Sequence, residues 1–335
     1  MALAMDCGTY NLVFCRRDDQ GNFVYKREVN AFLEIPLENK FTFNMLHAAE
    51  VPLIELEKVA YACGEKACNM AYTLSTLELK RPMVHGCVNP KEKSAFQIMS
   101  IMMHNLIDNV KKDKEILYYC VPANAINQET DADYHQRILD AIFKAYKSDE
   151  GYRVDAHPIN EALALIYAEL GKKAYTGIGI SFGAGMVNIC FAMYGNPVFS
   201  FSLVNSGDWI DKQAAKATGE NVAFINKEKT KIDLTKAPAS LVERAIHTQY
   251  RLMIEHTVTG IKKGFSDLTK TVRTEDPIDV VIAGGTSSPV GFKTIFQETI
   301  QQAELPIKIG EIVKPHDPLY SVARGCLIAA EAASN

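Results

Sequence analysis

The segment Leu3-Ala4-Met5-Asp6-Cys7-Gly8-Thr9-Tyr10-Asn11-Leu12-Val13-Phe14-Cys15-Arg16 reads as an apolar strand, a glycine turn and a second strand. A polar turn, Asp18-Asp19-Gln20-Gly21-Asn22, returns the chain into Phe23–Val29 as a third strand. The same order recurs far downstream. Gly177-Ile178-Gly179-Ile180-Ser181-Phe182-Gly183-Ala184-Gly185 leads into Met186–Tyr194, turns at Gly195-Asn196-Pro197 and returns through Val198–Val204. The turn glycines are 13 residues apart in the first copy (Gly8 to Gly21) and 12 in the second (Gly183 to Gly195). An internal echo of this kind is the signature of a duplicated unit.

The echo extends outward. Glu115–Val121 is a short apolar run closed by Pro122, and Ile278–Ala283 is another closed by Gly284-Gly285. Both read as buried parallel strands. Tyr152–His157 leads into an apolar helix, Ile159–Leu170, and Ile307–Val313 leads through Asp317-Pro318 into a second helix, Leu319–Ala333. The expected fold is α/β, built of two similar halves with a cleft between them.

The chain has 335 residues, 47% hydrophobic and 23% charged, with a net charge of −4. These values sit near the globular average and exclude a disordered, collagenous or disulfide-framework protein. No basic excess suggests nucleic acid as a partner. No apolar run approaches the ~20 residues of a membrane span. The N-terminus, Met1-Ala2-Leu3-Ala4-Met5-Asp6, lacks the charged and long apolar regions of a signal peptide. The eight cysteines are scattered and read as thiols in a reducing cytoplasm. Cys63 and Cys68 are the closest pair, and with no second pair at ligand spacing zinc is not expected.

Glycine turns that face a cleft offer backbone N–H groups to a phosphate with no side chain in the way. Gly8, Gly183 with Gly185, and Gly284-Gly285 are three such turns in matching positions. The last precedes a helix expected over Val290–Gln302, whose N-terminus would add a favourable dipole. Asp6 ends an apolar strand, and its carboxylate either holds a hydrated magnesium ion or accepts the turn's own N–H groups. Glu161 begins the helix after Tyr152–His157, and it either caps that helix or projects into the cleft to polarise a water. Phe96, Ile98, Met99, Ile101, Met102, Met103, Leu106 and Ile107 read as a core helix, and Lys111-Lys112-Asp113-Lys114 as a solvated loop.

These residues resemble the actin-like ATPases, the superfamily of actin, the 70-kDa heat-shock proteins and the sugar kinases, and most of all bacterial actins of the MreB and MamK type. Asp6-Cys7-Gly8-Thr9-Tyr10-Asn11-Leu12 is similar to the family's first phosphate loop. Ala283-Gly284-Gly285-Thr286-Ser287-Ser288-Pro289-Val290-Gly291 resembles its adenosine signature. Smaller matches lie in order at Ala62–Ala67, Arg81–Gly86, Cys120-Val121-Pro122, Asn160–Tyr167 and Ala323–Cys326.

The resemblance implies duplicated ribonuclease H-like domains around a nucleotide cleft. Domain I would span residues 1–160 and 317–335, with a small subdomain at about 31–83. Domain II would span 161–316, with a small subdomain at about 207–240. It implies ATP or ADP as ligand, with magnesium held by Asp6 through water. Gly8, Thr9, Tyr10 and Asn11 would line one phosphate loop, and Ser181, Gly183, Ala184 and Gly185 the other. Gly284, Gly285 and Thr286 would lie against the adenosine, Lys227 and Glu228 would contact adenine and ribose with Lys231 as substitute, and Glu161 would face the attacking water. The implied function is a cytoplasmic ATPase that polymerises head to tail with copies of itself, hydrolysis promoting disassembly. A monomeric nucleotide-gated switch related to the chaperone ATPases is the alternative. Neither membrane insertion nor direct nucleic-acid binding is expected.

Two departures carry expectations of their own. The second phosphate loop opens with Ser181 where the family has Asp, and Met186-Val187 follow Gly185 in place of its Thr, so hydrolysis should be slow. The stretch from Gly207 to a long helix near Ala239 is only about thirty residues, so the second small subdomain should be reduced. In the first, Phe41–Met45 and Val51–Val59 read as strands.

Overall fold

The computed structural model describes residues 2–38, 40–49, 51, 53–56, 58–73, 78–268, 274 and 276–334. The chain opens with β1 (Leu3–Cys7), β2 (Asn11–Arg17) and β3 (Phe23–Val29), an antiparallel meander. There follow β4 (Phe32–Pro36), α1 (Lys40–Ala48), β5 (Leu53–Leu56), β6 (Val59–Cys63) and α2 (Gly64–Thr73). A two-residue turn joins β7 (Met83–Val84) to β8 (Cys87–Val88). Next come α3 (Ala95–Leu106), β9 (Glu115–Val121), α4 (Ala132–Ala145), β10 (Val154–Asn160) and α5 (Glu161–Glu169).

The second half repeats the opening with β11 (Gly177–Phe182), β12 (Val187–Met193) and β13 (Asn196–Leu203). It continues through α6 (Gly207–Thr218), α7 (Val222–Lys229) and α8 (Leu241–Ser266). It ends in β14 (Ile278–Ala283), α9 (Phe292–Gln301), β15 (Ile309–Val313) and α10 (Ser321–Ser334).

The two large sheets have the same plan. One runs β10-β9-β1-β2-β3 and the other β15-β14-β11-β12-β13. In each, the first two of these strands lie parallel to the meander's opening strand, and the meander itself is antiparallel. The duplication legible in the glycine spacing is therefore a duplication of topology.

Two cores match the two sheets. One gathers β1, β2 and β9 with α3, α5 and α10, and the other gathers β11, β12 and β14 with α6, α8 and α9. All of Ile98, Met99, Met102, Met103 and Leu106 on α3 are buried, so its apolar stripe is core packing, whereas Phe96 stays exposed. The chain's last helix returns to the first half, where α10 packs on α5. Gly325 makes that crossing possible, because a Cβ there would overlap the Ala164 carbonyl.

The segment expected to form the first small subdomain holds a three-stranded sheet, β4-β6-β5. Phe41–Met45 falls inside α1, not in a strand. Its burial follows a helical step: Leu46 is buried and Phe43 partly so, whereas Met45 between them is exposed. The span Val51–Val59 contains β5 and the first residue of β6, an antiparallel pair in which Leu56 faces Val59. Among the described residues between β13 and β14 the elements are helices, with one isolated bridge from Asp233 to Val290. The stretch expected to form a reduced second small subdomain, about 207–240, therefore holds α6 and α7 and no strand among the described residues. Lys111–Lys114 lies exposed between α3 and β9.

Candidate active site

A cavity of about 700 Å³ opens between the two sheets. Its walls are the three glycine turns. Asn30 fixes the first turn: its amide donates to the Tyr10 carbonyl at 2.8 Å and its Nδ2 to the Gly8 carbonyl at 3.1 Å. The second turn is tied on three sides. Its Gly183 amide donates to the Met186 carbonyl at 2.9 Å, Thr286 Oγ1 donates to the Gly183 carbonyl at 2.8 Å, and the Asp208 amide donates to the Ala184 carbonyl at 2.8 Å. The first two turns nearly touch across the cleft. A Cβ on Gly185 would overlap Thr9 Oγ1 and come within 2.6 Å of the Gly86 nitrogen. Only glycine permits this approach.

Asp6 and Glu161 both line the cavity. Asp6, at the end of β1, accepts from the Cys120 thiol at 3.1 Å, and the Cys7 amide donates to that same sulfur at 3.2 Å. Glu161 does not cap α5. Asn160 does, accepting from the Ala162 and Leu163 amides at 3.1 Å each. Glu161 is left facing the cleft, where Asn188 Nδ2 donates to its Oε2 at 2.8 Å and Ser181 also hydrogen-bonds it. Burial raises Asp6 to about 6, against a lowering by Cys120. Burial and the charge on Asp6 together raise Glu161 to about 8, against the hydrogen bonds from Ser181 and Asn188. Between these values the pair holds one proton, and a cation brought beside it would favour that proton's release.

Among the described residues no three His, Cys, Asp or Glu side chains converge as a metal cluster. Asp6 and Glu161 are hard oxygen donors of the kind that would touch the waters of a hydrated hard cation.

Of the sequence-predicted residues, Asp6, Gly8, Thr9, Tyr10, Asn11, Glu161, Ser181, Gly183, Ala184, Gly185, Gly284, Gly285 and Thr286 all line the cavity. Lys227 and Glu228 do not. The wall on that side is Asn226, then Lys229–Asp233, and Lys236. One reason is the helical turn. Lys227 is exposed, and Glu228 is paired with Lys231 at 2.5 Å. Lys231, the substitute, does line the cavity. The helix after Ala283 also begins later than expected, at Phe292. A 3-10 turn at Gly285–Ser287 occupies the cavity wall instead.

The sequence assigns several residues in and around the wall no role of their own. Lys229 is buried in an ion pair with Asp211 at 2.8 Å and donates to the Gly207 carbonyl at 2.9 Å. Asp208 receives Arg81 Nη1 on both oxygens, at 2.7 and 2.8 Å, and the Arg81 guanidinium lies 4.9 Å over the Tyr10 ring. This pair joins the two halves at the cavity rim. Gly86 and Met186 form a second junction there, with His85 beside them in a left-handed turn at φ 49°.

A family model described as Volactin matches residues 1–330. Curated protein sequences give no match. Among solved structures, a MamK double helical filament is similar at a TM-score of 0.71 and 15% identity, over 99% of both chains. MreB5 of Spiroplasma citri bound to AMPPNP is similar at a TM-score of 0.68 and 14% identity, over 99% of this chain and 96% of that one. The ethanolamine utilization protein EutJ from Carboxydothermus hydrogenoformans is similar at a TM-score of 0.53 and 17% identity, over 97% and 88%. At this identity, what the likenesses show is the fold, that of the actin-like proteins.

Proposed function

The chain belongs to the volactin family, and on its actin-like fold we propose that it is an ATPase that binds Mg-ATP in the interdomain cleft and polymerises head to tail. The observation that carries the reading is the cavity itself: about 700 Å³, walled by three glycine turns, with two carboxylates of raised pKa at its floor. The domain limits near residues 160 and 317 belong to the same proposal.

In this reading the amides of Gly8–Asn11 and Gly183–Gly185 hold the phosphates. The turn at Gly284–Thr286 lies along the adenosine, opposite Lys229–Asp233. Asp6 and Glu161 would hold the waters of a magnesium ion brought in with the nucleotide, which would supply neutralisation of the phosphate charge. Glu161 orients a water toward the γ-phosphorus. The water oxygen bonds to phosphorus as the bond to the β–γ bridging oxygen breaks, ADP takes that electron pair, and both of the water's protons leave with the phosphate, as dihydrogen phosphate. Ser181 offers a hydroxyl where the family has a carboxylate, which holds a hydrated cation more weakly and slows the reaction. Cleft closure by ATP favours a heterologous contact, which propagates as a strand, and hydrolysis loosens it.

The eight cysteines are all free thiols, which supports a cytoplasmic site. No helix among the described residues is long and apolar enough to cross a membrane.

The test is equilibrium binding of labelled ATP with phosphate release, on the wild-type chain and on Glu161→Gln. Magnesium-dependent ATP binding, with phosphate release lost in E161Q and binding kept, supports the reading. A wild-type chain that binds no ATP, or an E161Q variant that turns over at the wild-type rate, overturns it.

A further inference from the structure

Glu161 is reached by a hydrogen-bonded chain that begins at the seam between the two halves. The loop after β9 runs beside the edge strand β13. There the Ser202 amide donates to the Asn124 carbonyl at 3.1 Å, and the Ile126 amide donates to the Ser202 carbonyl at 3.0 Å. Both backbone groups of Ser202 are thus spent on the first half of the chain. Its hydroxyl donates to Asn188 Oδ1 at 2.5 Å. Asn188 Nδ2 in turn donates to Glu161 Oε2 at 2.8 Å.

The register makes this a designed row. Ser181 faces Asn188 across β11 and β12, and Asn188 faces Ser202 across β12 and β13. All three are buried, at 2%, 2% and 0% exposure, in a sheet whose neighbouring positions are apolar. Buried polar groups are tolerated when each is hydrogen-bonded. Here the bonds also have a direction. With the Ser202 hydroxyl donating to the amide oxygen, the Asn188 NH₂ faces the carboxylate. A flipped amide would set oxygen against the carboxylate whenever Glu161 is ionised, the form in which it would orient a water.

We infer that Asn188 and Ser202 are positioning residues, which hold the Glu161 carboxylate in its water-orienting pose and make that pose depend on the joint between β13 and the loop after β9. The inference rests on the reading of Glu161 given above. It assigns the edge of the second sheet a part in the chemistry, though Ser202 lies outside the cavity wall. Opening that joint would turn the carboxylate without disturbing any residue that touches the phosphates. A displaced orienting group of this kind lowers the rate of the chemical step and leaves ground-state binding intact.

The experiment compares the full chain with Ser202→Ala, Ser202→Thr and Asn127→Ala, reading single-turnover phosphate release and equilibrium ATP affinity. Asn127 is exposed, and its Oδ1 accepts from the Val204 amide at 3.1 Å, so its replacement loosens the joint without touching the row. S202A should slow phosphate release about tenfold or more with ATP affinity held within about twofold. S202T, which keeps the hydroxyl, should recover the rate. N127A should slow release by a smaller factor, again at unchanged affinity. S202A at the wild-type rate, or S202T as slow as S202A, overturns the positioning role. N127A at the wild-type rate overturns the link to the joint. A wild-type chain that binds no ATP overturns the reading of the cleft and this inference with it, an outcome distinct from the other two.

Discussion

Replacing Arg81 with alanine should release bound nucleotide about 30- to 150-fold faster. The two oxygens of Asp208 take Arg81 Nη1 at 2.7 and 2.8 Å, and the side chains are 23% and 19% exposed. Burial alone would raise Asp208, yet the charge and hydrogen bonds of Arg81 hold it below its ordinary value. The pair bridges residues 127 apart in sequence at the cavity rim, where it would have to break for the two walls to part. Hydrogen bonds to charged groups contribute about 1.5–3 kcal/mol net. Taking about 2–3 kcal/mol for the closed state relative to an open one in which both ions are hydrated gives the stated factor, at about 1.4 kcal/mol per tenfold.

The assay is stopped-flow chase of a preloaded fluorescent ATP analogue. Asp208→Asn should also speed release, but less, because it leaves a cation near the phosphates where R81A leaves an anion. The double variant should be no faster than R81A, because both changes remove one interaction. An R81A dissociation rate within about twofold of wild type, or strictly additive effects, would refute the latch.

Three further outcomes follow from the same geometry. Gly185→Ala places a Cβ against Thr9 and the Gly86 amide, so it should weaken ATP binding at least about tenfold in equilibrium titration and also lower the melting temperature, because the overlap with backbone forces the two turns apart. Glu161→Gln should stabilise the nucleotide-free protein more at pH 8 than at pH 5. Folded Glu161 and Asp6 are raised to about 8 and about 6, so the folded state binds more protons than the unfolded one across that window, and wild-type stability falls as pH rises through it. Parallel wild-type and E161Q melting curves against pH would contradict this. Ser181→Asp should raise the phosphate release rate in saturating magnesium yet lower the melting temperature without it, since Ser181 is 2% exposed beside two carboxylates. A variant no faster than wild type would overturn the expectation that Ser181 slows turnover.

The topology was legible because two short-range signals repeat. A buried strand, a glycine turn and a returning strand can be read from periodicity alone, and their recurrence at Gly183 predicts that the sheets share one order. The first small subdomain was less legible. Phe41-Thr42-Phe43-Asn44-Met45 alternates like a strand, and only the partial burial of Phe43 with Leu46, a helical step apart, shows α1. Backbone-built parts of the site were readable, since glycine turns declare themselves. The side-chain parts were not. Lys227, Glu228, Lys229 and Lys231 are equivalent on paper, and the helical turn alone decides that Lys229 and Lys231 face the cavity. Asn188, Asn30 and Asp208 are common polar residues whose meaning comes from long-range partners, Glu161, Gly8 and Arg81. Glu161 itself could be read as a cap until Asn160 was seen to fill that place.

The most direct test of nucleotide-driven assembly is right-angle light scattering of the full chain, titrated in concentration with Mg-ATP, with Mg-ADP and without nucleotide. Assembly through a closed cleft requires scattering that rises above a sharp threshold concentration in ATP, at a higher threshold or not at all in ADP, and not without nucleotide. Phosphate release from bound ATP with flat scattering at every concentration would contradict it and leave a monomeric switch.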